Sequence, residues 1–348
     1  MSPHLLVVTG PNSVLPAGTV PITGLTVNFA SKNELAQGSD NWPTTWADDG
    51  HQYAFWGDGA GFGGPDPDSD VLLGAARIEG DHDSYTGINV NGGVDSENPS
   101  TLGGKTHQQP IFRAGVLYFW QTPGSGATGF SDSNLWKSSD YGATVTKNIV
   151  EFSLAVHGIS HMGFVQYGQD HAGPAEDAGY FYLTCIEVQQ SSNLLGLQTP
   201  ANIFLLRVPV GEVETLGSYE WFTGLDDGDP TWGAIGSRAA VHTDASGFGP
   251  FVQVQYVTGL ARYVMWAEYG GGTSDLVLLE APEPWGPWTE VDRINAFGNA
   301  EIGLAETIFQ WQLAPKWERN GGIDFTLIFS GTGENDSWNT VDGSFTVA

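Results

Sequence analysis

The feature that most constrains this chain is a repeat. An aromatic and β-branched run recurs as Tyr53-Ala-Phe-Trp56, Leu117-Tyr-Phe-Trp120, Tyr180-Phe-Tyr-Leu183, Tyr263-Val-Met-Trp266 and Phe325-Thr-Leu-Ile-Phe329. From Tyr53 to Tyr118 is 65 residues, then 64 to Tyr182, 81 to Tyr263 and 62 to Phe325. Side chains of this kind pack well on a pleated sheet. A fixed period of strong strands is the mark of a repeat architecture.

Each run has neighbours on both sides. A preceding strand ends in a short turn, as at Asp49-Gly50, Ala114-Gly115, Thr258-Gly259 and Asn320-Gly-Gly322, which is hairpin grammar. A following strand reads at Leu72–Ile78, Asn134–Ser138, Ile203–Val208, Leu276–Leu279 and Ser344–Val347. A fourth reads at Thr86–Val90, Ile149–Phe152, Tyr219–Phe222 and Thr289–Asp292, and the fifth unit runs out of chain before its own. The segment Leu25-Thr-Val-Asn-Phe29 can supply that missing outer strand. Closing the ring in this way protects edges that an open array would expose.

The pattern therefore predicts an all-β, five-bladed β-propeller in one domain spanning 1–348. Its blades fall near 40–92, 105–154, 160–224, 237–293 and 305–347, with the N-terminal strand 25–29 completing the last. A pair of β-sandwich domains is the alternative, but it gives no reason for the period. Ser138-Ser-Asp-Tyr-Gly-Ala-Thr144 matches the Asp-box turn of many propellers, a structural signature and not a catalytic one.

Composition agrees with this class. Gly 48 and Pro 19 make long helices improbable, and 40% hydrophobic residues suffice for a large core. Lys+Arg 12 against Asp+Glu 40 leaves a net charge of −28. Such a surface repels nucleic acid and anionic membrane, so neither is an expected partner. The single cysteine, Cys185, lies in a strand-like run and reads as a small core residue. Leu5-Leu-Val-Val8 is too short for a signal-peptide core. An extracellular or virion-associated location is expected all the same, reached after signal removal or on a virion.

Several stretches resemble a family of bacterial and phage five-bladed propellers. They are Asp40-Asn-Trp-Pro-Thr-Thr-Trp-Ala-Asp-Asp-Gly50 leading to Phe55-Trp-Gly-Asp-Gly59, Leu206-Arg-Val-Pro209 with Ser218-Tyr-Glu-Trp-Phe222, Ala281-Pro-Glu-Pro-Trp-Gly-Pro-Trp288, and Pro315-Lys-Trp317. The Arg-Val-Pro and Ala-Pro-x-Pro segments are also loosely similar to endo-acting D-arabinan hydrolases. That resemblance implies polysaccharide cleavage as an analogy of fold.

In a propeller the innermost strands line the axis, and the loops that lead into them crowd one face. Those starts read Asp40-Asn41-Trp42, Lys105-Thr106-His107-Gln108, Ser160-His161, Ser237-Arg238 and Ala305-Glu306-Thr307. Glycosidic cleavage needs two carboxyls across the scissile bond, one to protonate the leaving oxygen and one to attack or activate water. Asp40 and Glu306 fit as nucleophile or base and as acid, with roles exchangeable, and Asp58 is the reserve carboxylate. Alternatively, Asp40 caps a turn and Glu306 is a solvated loop acid. A uronate lyase would instead use His107 or His161 as base and Arg238 on the carboxylate. Trp42 is the expected sugar-stacking platform, with Asn41, Gln108 and Lys105 as further substrate contacts.

Neither chemistry requires a cofactor. His157-Gly-Ile-Ser-His161 has ligand spacing but no acidic or Cys ligand beside it. Asp66-Pro-Asp-Ser-Asp70 alternates like a calcium loop but has Val71 where an EF-hand needs Gly, so calcium stays an open alternative. The expected partner is a polysaccharide; a non-catalytic glycan-binding role, or association with a virion tail, is the remaining alternative.

Overall fold

The computed structural model describes residues 20–100, 102–125, 129–130, 132–173, 179–187, 201–269, 275–294 and 308–348. Its five antiparallel sheets form a five-bladed β-propeller, as the repeat predicts. Each recurring run is the second strand of a blade: Gln52–Gly57, Val116–Gln121, Tyr180–Glu187, Arg262–Tyr269 and Asp324–Gly331. The inner strands are Asp40–Trp46, Ile111–Arg113, Ile159–Phe164, Phe248–Val257 and Ile308–Leu313.

The second strands are apolar on both faces because both faces meet another blade. Tyr53 and Phe55 point into a cluster shared with blade 2, while Ala54 and Trp56 point into one shared with blade 5. Five hydrophobic clusters among the described residues occupy the five seams, each drawing on two adjacent blades. Burial at such seams contributes about 1.5–3 kcal/mol per large side chain. A ring, unlike a row, leaves no blade face unmatched.

Closure comes from the N-terminus. Ile22–Leu35 runs antiparallel to Trp338–Val347, with Leu25 opposite Phe345 and Leu35 opposite Trp338. It is the outer strand of blade 5, in the place expected for 25–29.

Blade 3 departs from the expected boundaries. Its outer strand Glu220–Asp226 continues through a hairpin into Asp229–Gly233, and Ala240–Asp244 pairs back onto Ala201–Pro209. The inner strand of blade 4 therefore starts at Phe248 and not near 237. The 81-residue interval is longer than the others because blade 3 carries these additional strands.

The axis is packed by amides. Gln108 donates to Pro250 O at 2.6 Å and accepts from Val252 N at 3.2 Å, tying blade 2 to blade 4. Gln253 and Gln310 both donate to His107 O, at 2.9 and 3.1 Å, and Gln312 donates to Trp42 O at 2.6 Å. On the opposite face, Gln169 reaches from blade 3 to the carbonyls of Ala47 and Asp48, at 3.2 Å each. Buried amides bonded to the backbone of neighbouring blades hold the inner strands in register.

Candidate active site

The site begins with a backbone irregularity. Asn41 pairs with Trp56 and the next pair is Thr44 with Ala54, so the inner strand of blade 1 bulges between them. Asn41 and Trp42 both take left-handed φ values, 73° and 82°. The same bulge recurs in blades 3 and 5, with His161 at φ 55° and Gln310 at φ 58°. A bulge re-aims side chains, and bulky residues adopt left-handed φ only where surrounding structure compels it.

The bulge decides which groups meet. Asp40 accepts from Asn41 Nδ2 at 2.5 Å. Lys105 Nζ lies 2.6 Å from Asp58 Oδ1 and donates to Leu72 O at 3.1 Å. Gly57 is what lets them converge: a Cβ there would come within 2.6 Å of Lys105 Cδ, 2.7 Å of Asn41 Nδ2 and 2.9 Å of Asp40 Oδ1. Asp336, on the loop before Trp338, completes the group from blade 5, and its carbonyl accepts from Gly38 N at 2.6 Å.

Burial pushes the Asp40 carboxyl up to about 8, with Lys105 opposing and the charges of Asp58 and Asp336 adding. Asp336 is raised by burial and by Asp58, against Lys105. Asp40 thus holds its proton at neutral pH, while Asp58 is solvent-exposed and ion-paired with Lys105. A protonated carboxyl beside an exposed carboxylate is an acid–base arrangement.

His107 and His161 also meet, with ring centroids 4.7 Å apart, and His107 packs on Phe251 at 5.6 Å. Phe251 stacks on Phe309 at 5.2 Å. Burial holds the His161 imidazole down at about 3, and His107 well below its usual range by burial, with His161 and Lys105 adding. Rings this averse to a proton are poor bases for taking one from carbon.

Three expected contacts are corrected. Trp42 is fully buried, against Trp56, Phe62 and Trp338 at 5.6, 5.2 and 5.5 Å, with its indole N–H on Ser39 O at 2.9 Å. The bulge turns it into the seam between blades 1 and 5, so it is core and not a sugar platform. Gln108 spends both ends of its amide on the backbone of blade 4, as above. Arg238 donates to His157 O at 2.8 Å and Ile235 O at 3.2 Å and lies over the Phe204 ring at 4.6 Å. It belongs to the margin of blade 3 because 240–244 pairs there, and both of its Nη atoms donate to carbonyls. Glu306 lies outside the described residues.

Sequence reasoning missed two carboxyls. Asp336 has no local signal. Glu268 had one, as a charged residue inside the apolar run of 262–269. It is 4% exposed, accepts from Gln310 N at 2.8 Å, and fills the space that a side chain at Gly249 would need. Burial pushes it up to about 8, against the Gln310 hydrogen bond, with Asp275 adding.

For a metal, the expected groups disperse. The His157 ring packs on Phe152 at 5.7 Å and that of His161 on His107. Asp66 turns inward on Asp68 N and Ser69 Oγ, at 3.2 and 2.8 Å. Among the described residues no three His, Cys, Asp or Glu side chains are grouped to hold an ion.

Solved structures share this architecture. A β-xylosidase has a TM-score of 0.53 at 13% identity, over 90% of this chain and 94% of its own. The catalytic domain of the Coprinopsis cinerea GH62 α-L-arabinofuranosidase has 0.51 at 12%, over 90% and 92%. A GH43_1 enzyme from Xanthomonas citri, complexed with xylose, has 0.51 at 12%, over 92% and 96%. The likeness is one of fold. This chain has the five-bladed β-propeller fold that these enzymes share. No family model and no curated protein sequence matches it.

Proposed function

We propose that this protein is a glycoside hydrolase that cuts within a polysaccharide outside the cell, such as D-arabinan, at the mouth formed by Asp40, Asp58, Lys105 and Asp336. The observation that carries this is the convergence over Gly57 of the Asp40 carboxyl, which burial pushes up to about 8, with the Lys105–Asp58 ion pair. Asp40 gives its proton to the glycosidic oxygen as the bond to the sugar breaks. Asp58, oriented by Lys105, takes a proton from water or attacks the sugar carbon itself. The anion left on Asp40 is met by Lys105 and the Asn41 N–H. The structural neighbours include enzymes named for xylosides and arabinofuranosides, which supports a pentose-containing glycan.

Elimination is disfavoured by the buried histidines and by the position of Arg238. The test is to incubate the protein with arabinogalactan, arabinan, xylan and polygalacturonate, following reducing ends and ultraviolet absorbance together. New reducing ends without absorbance, lost in both Asp40→Asn and Asp58→Asn, are expected. Undiminished cleavage in both variants, or a rise in absorbance with cleavage, would overturn the proposal.

A further inference from the structure

A cavity of about 550 Å³ lies on the seam of blades 1 and 2, lined by Tyr53, Arg77, Ile88, Asp95, Glu97 and Tyr141 among others, and no residue of the mouth lines it. Its size falls in the range of small-ligand sites.

Its floor is aromatic and fixed in place. The Tyr141 ring packs on Phe112 at 5.2 Å, nearly parallel, and on Tyr53 at 5.5 Å. Its hydroxyl donates to Asp48 at 3.0 Å, and that of Tyr53 donates to Asp49 at 2.7 Å. Tyr141 sits at a left-handed φ of 58° inside the turn 138–144. There Asp140 accepts from Thr144 N at 2.9 Å and Thr144 Oγ1 at 2.6 Å, and Ser138 Oγ accepts from Gly142 N at 2.8 Å. The turn presents the ring to the cavity with little left to order on binding, which favours affinity.

The walls mix chemistries. Ile88 is 40% exposed. Arg77 is ion-paired with Glu79 at 2.6 Å, yet its Nε is buried without a hydrogen-bond partner among the described residues. Asp95 and Glu97 are exposed acceptors. A phenol ring, an aliphatic side chain, a guanidinium and carboxylate acceptors match the apolar faces and hydroxyl edges of a sugar. The carboxylates outnumber the one cation, which opposes an anionic ligand. They are also too dispersed to chelate a metal, since no group of three forms among the described residues.

We propose that this cavity is a second saccharide-binding site, taking a short stretch of a neutral glycan with Tyr141 as its stacking platform. It is independent of any activity at the mouth.

The test is electrophoresis of the full chain in native gels cast with arabinan, arabinoxylan or galactomannan, with polygalacturonate as the anionic comparison. At least one neutral polysaccharide retards the wild type and Asp40→Asn alike, and polygalacturonate retards neither. Tyr141→Ala weakens that retardation by about tenfold in apparent affinity, whereas Tyr141→Phe, which keeps the ring, retains it. Retardation unchanged in Tyr141→Ala, or absent with every neutral polysaccharide, would overturn the proposal. The phenylalanine variant separates loss of the platform from loss of the fold.

Discussion

Glu268→Gln isolates one buried proton. In the folded protein burial pushes Glu268 up to about 8 from an ordinary value of 4.5. Below pH 4.5 the carboxyl is protonated folded and unfolded alike, so it has no pH-dependent effect there. Between 4.5 and 8 the unfolded chain gives up the proton and the native state keeps it, so stability falls as pH rises. Each pH unit costs about 1.4 kcal/mol, hence about 3 kcal/mol by pH 7, with no further loss once the native carboxyl ionises. Gln mimics the protonated acid and can still accept the Gln310 N–H, but it has no proton to lose. Urea denaturation at pH 5 and pH 7 should therefore show the variant's advantage over wild type growing from under about 1 to about 3 kcal/mol. Every other titrating group cancels in that difference. Parallel stability curves would refute the claim that Glu268 is held protonated by burial.

Cleavage should fall as pH rises through about 8, where Asp40 loses the proton it must donate; a rate still rising there would show that another group is the acid. Gly57→Ala adds one methyl between Asp40, Asn41 and Lys105 at a backbone geometry alanine tolerates. It should leave the circular dichroism spectrum intact while cutting turnover by about a hundredfold. Trp42→Ala opens the seam of blades 1 and 5 and should cost about 3–5 kcal/mol in urea denaturation. A loss under about 1 kcal/mol there would mean that the ring is not core.

Asp40, Asn41, Asp58 and Lys105 were accessible to sequence reasoning because their positions follow from counting strands: starts of inner strands share a face, and the strand ending at Asp58 returns to it. Asp336 was not, because a loop acid between strands looks the same whether it faces solvent or a lysine from another blade. Glu268 was half legible, as a charge inside an apolar run whose depth the run itself does not state.

By itself the sequence determined the five blades, the strong second strand of each and the ring closure by the N-terminal strand. These rest on continuous aromatic and β-branched runs and on the repeat between them, which are local properties that survive in one dimension. Only the tertiary structure decided where the side chains at the mouth point. Trp42 and Asp40 are two residues apart, yet one is core and the other faces the mouth, because a left-handed bulge breaks the alternation between them. Gln108 and Arg238 likewise bond to backbone from distant parts of the chain. Partners of that kind are set by how sheets twist and meet, which no local pattern of residues encodes.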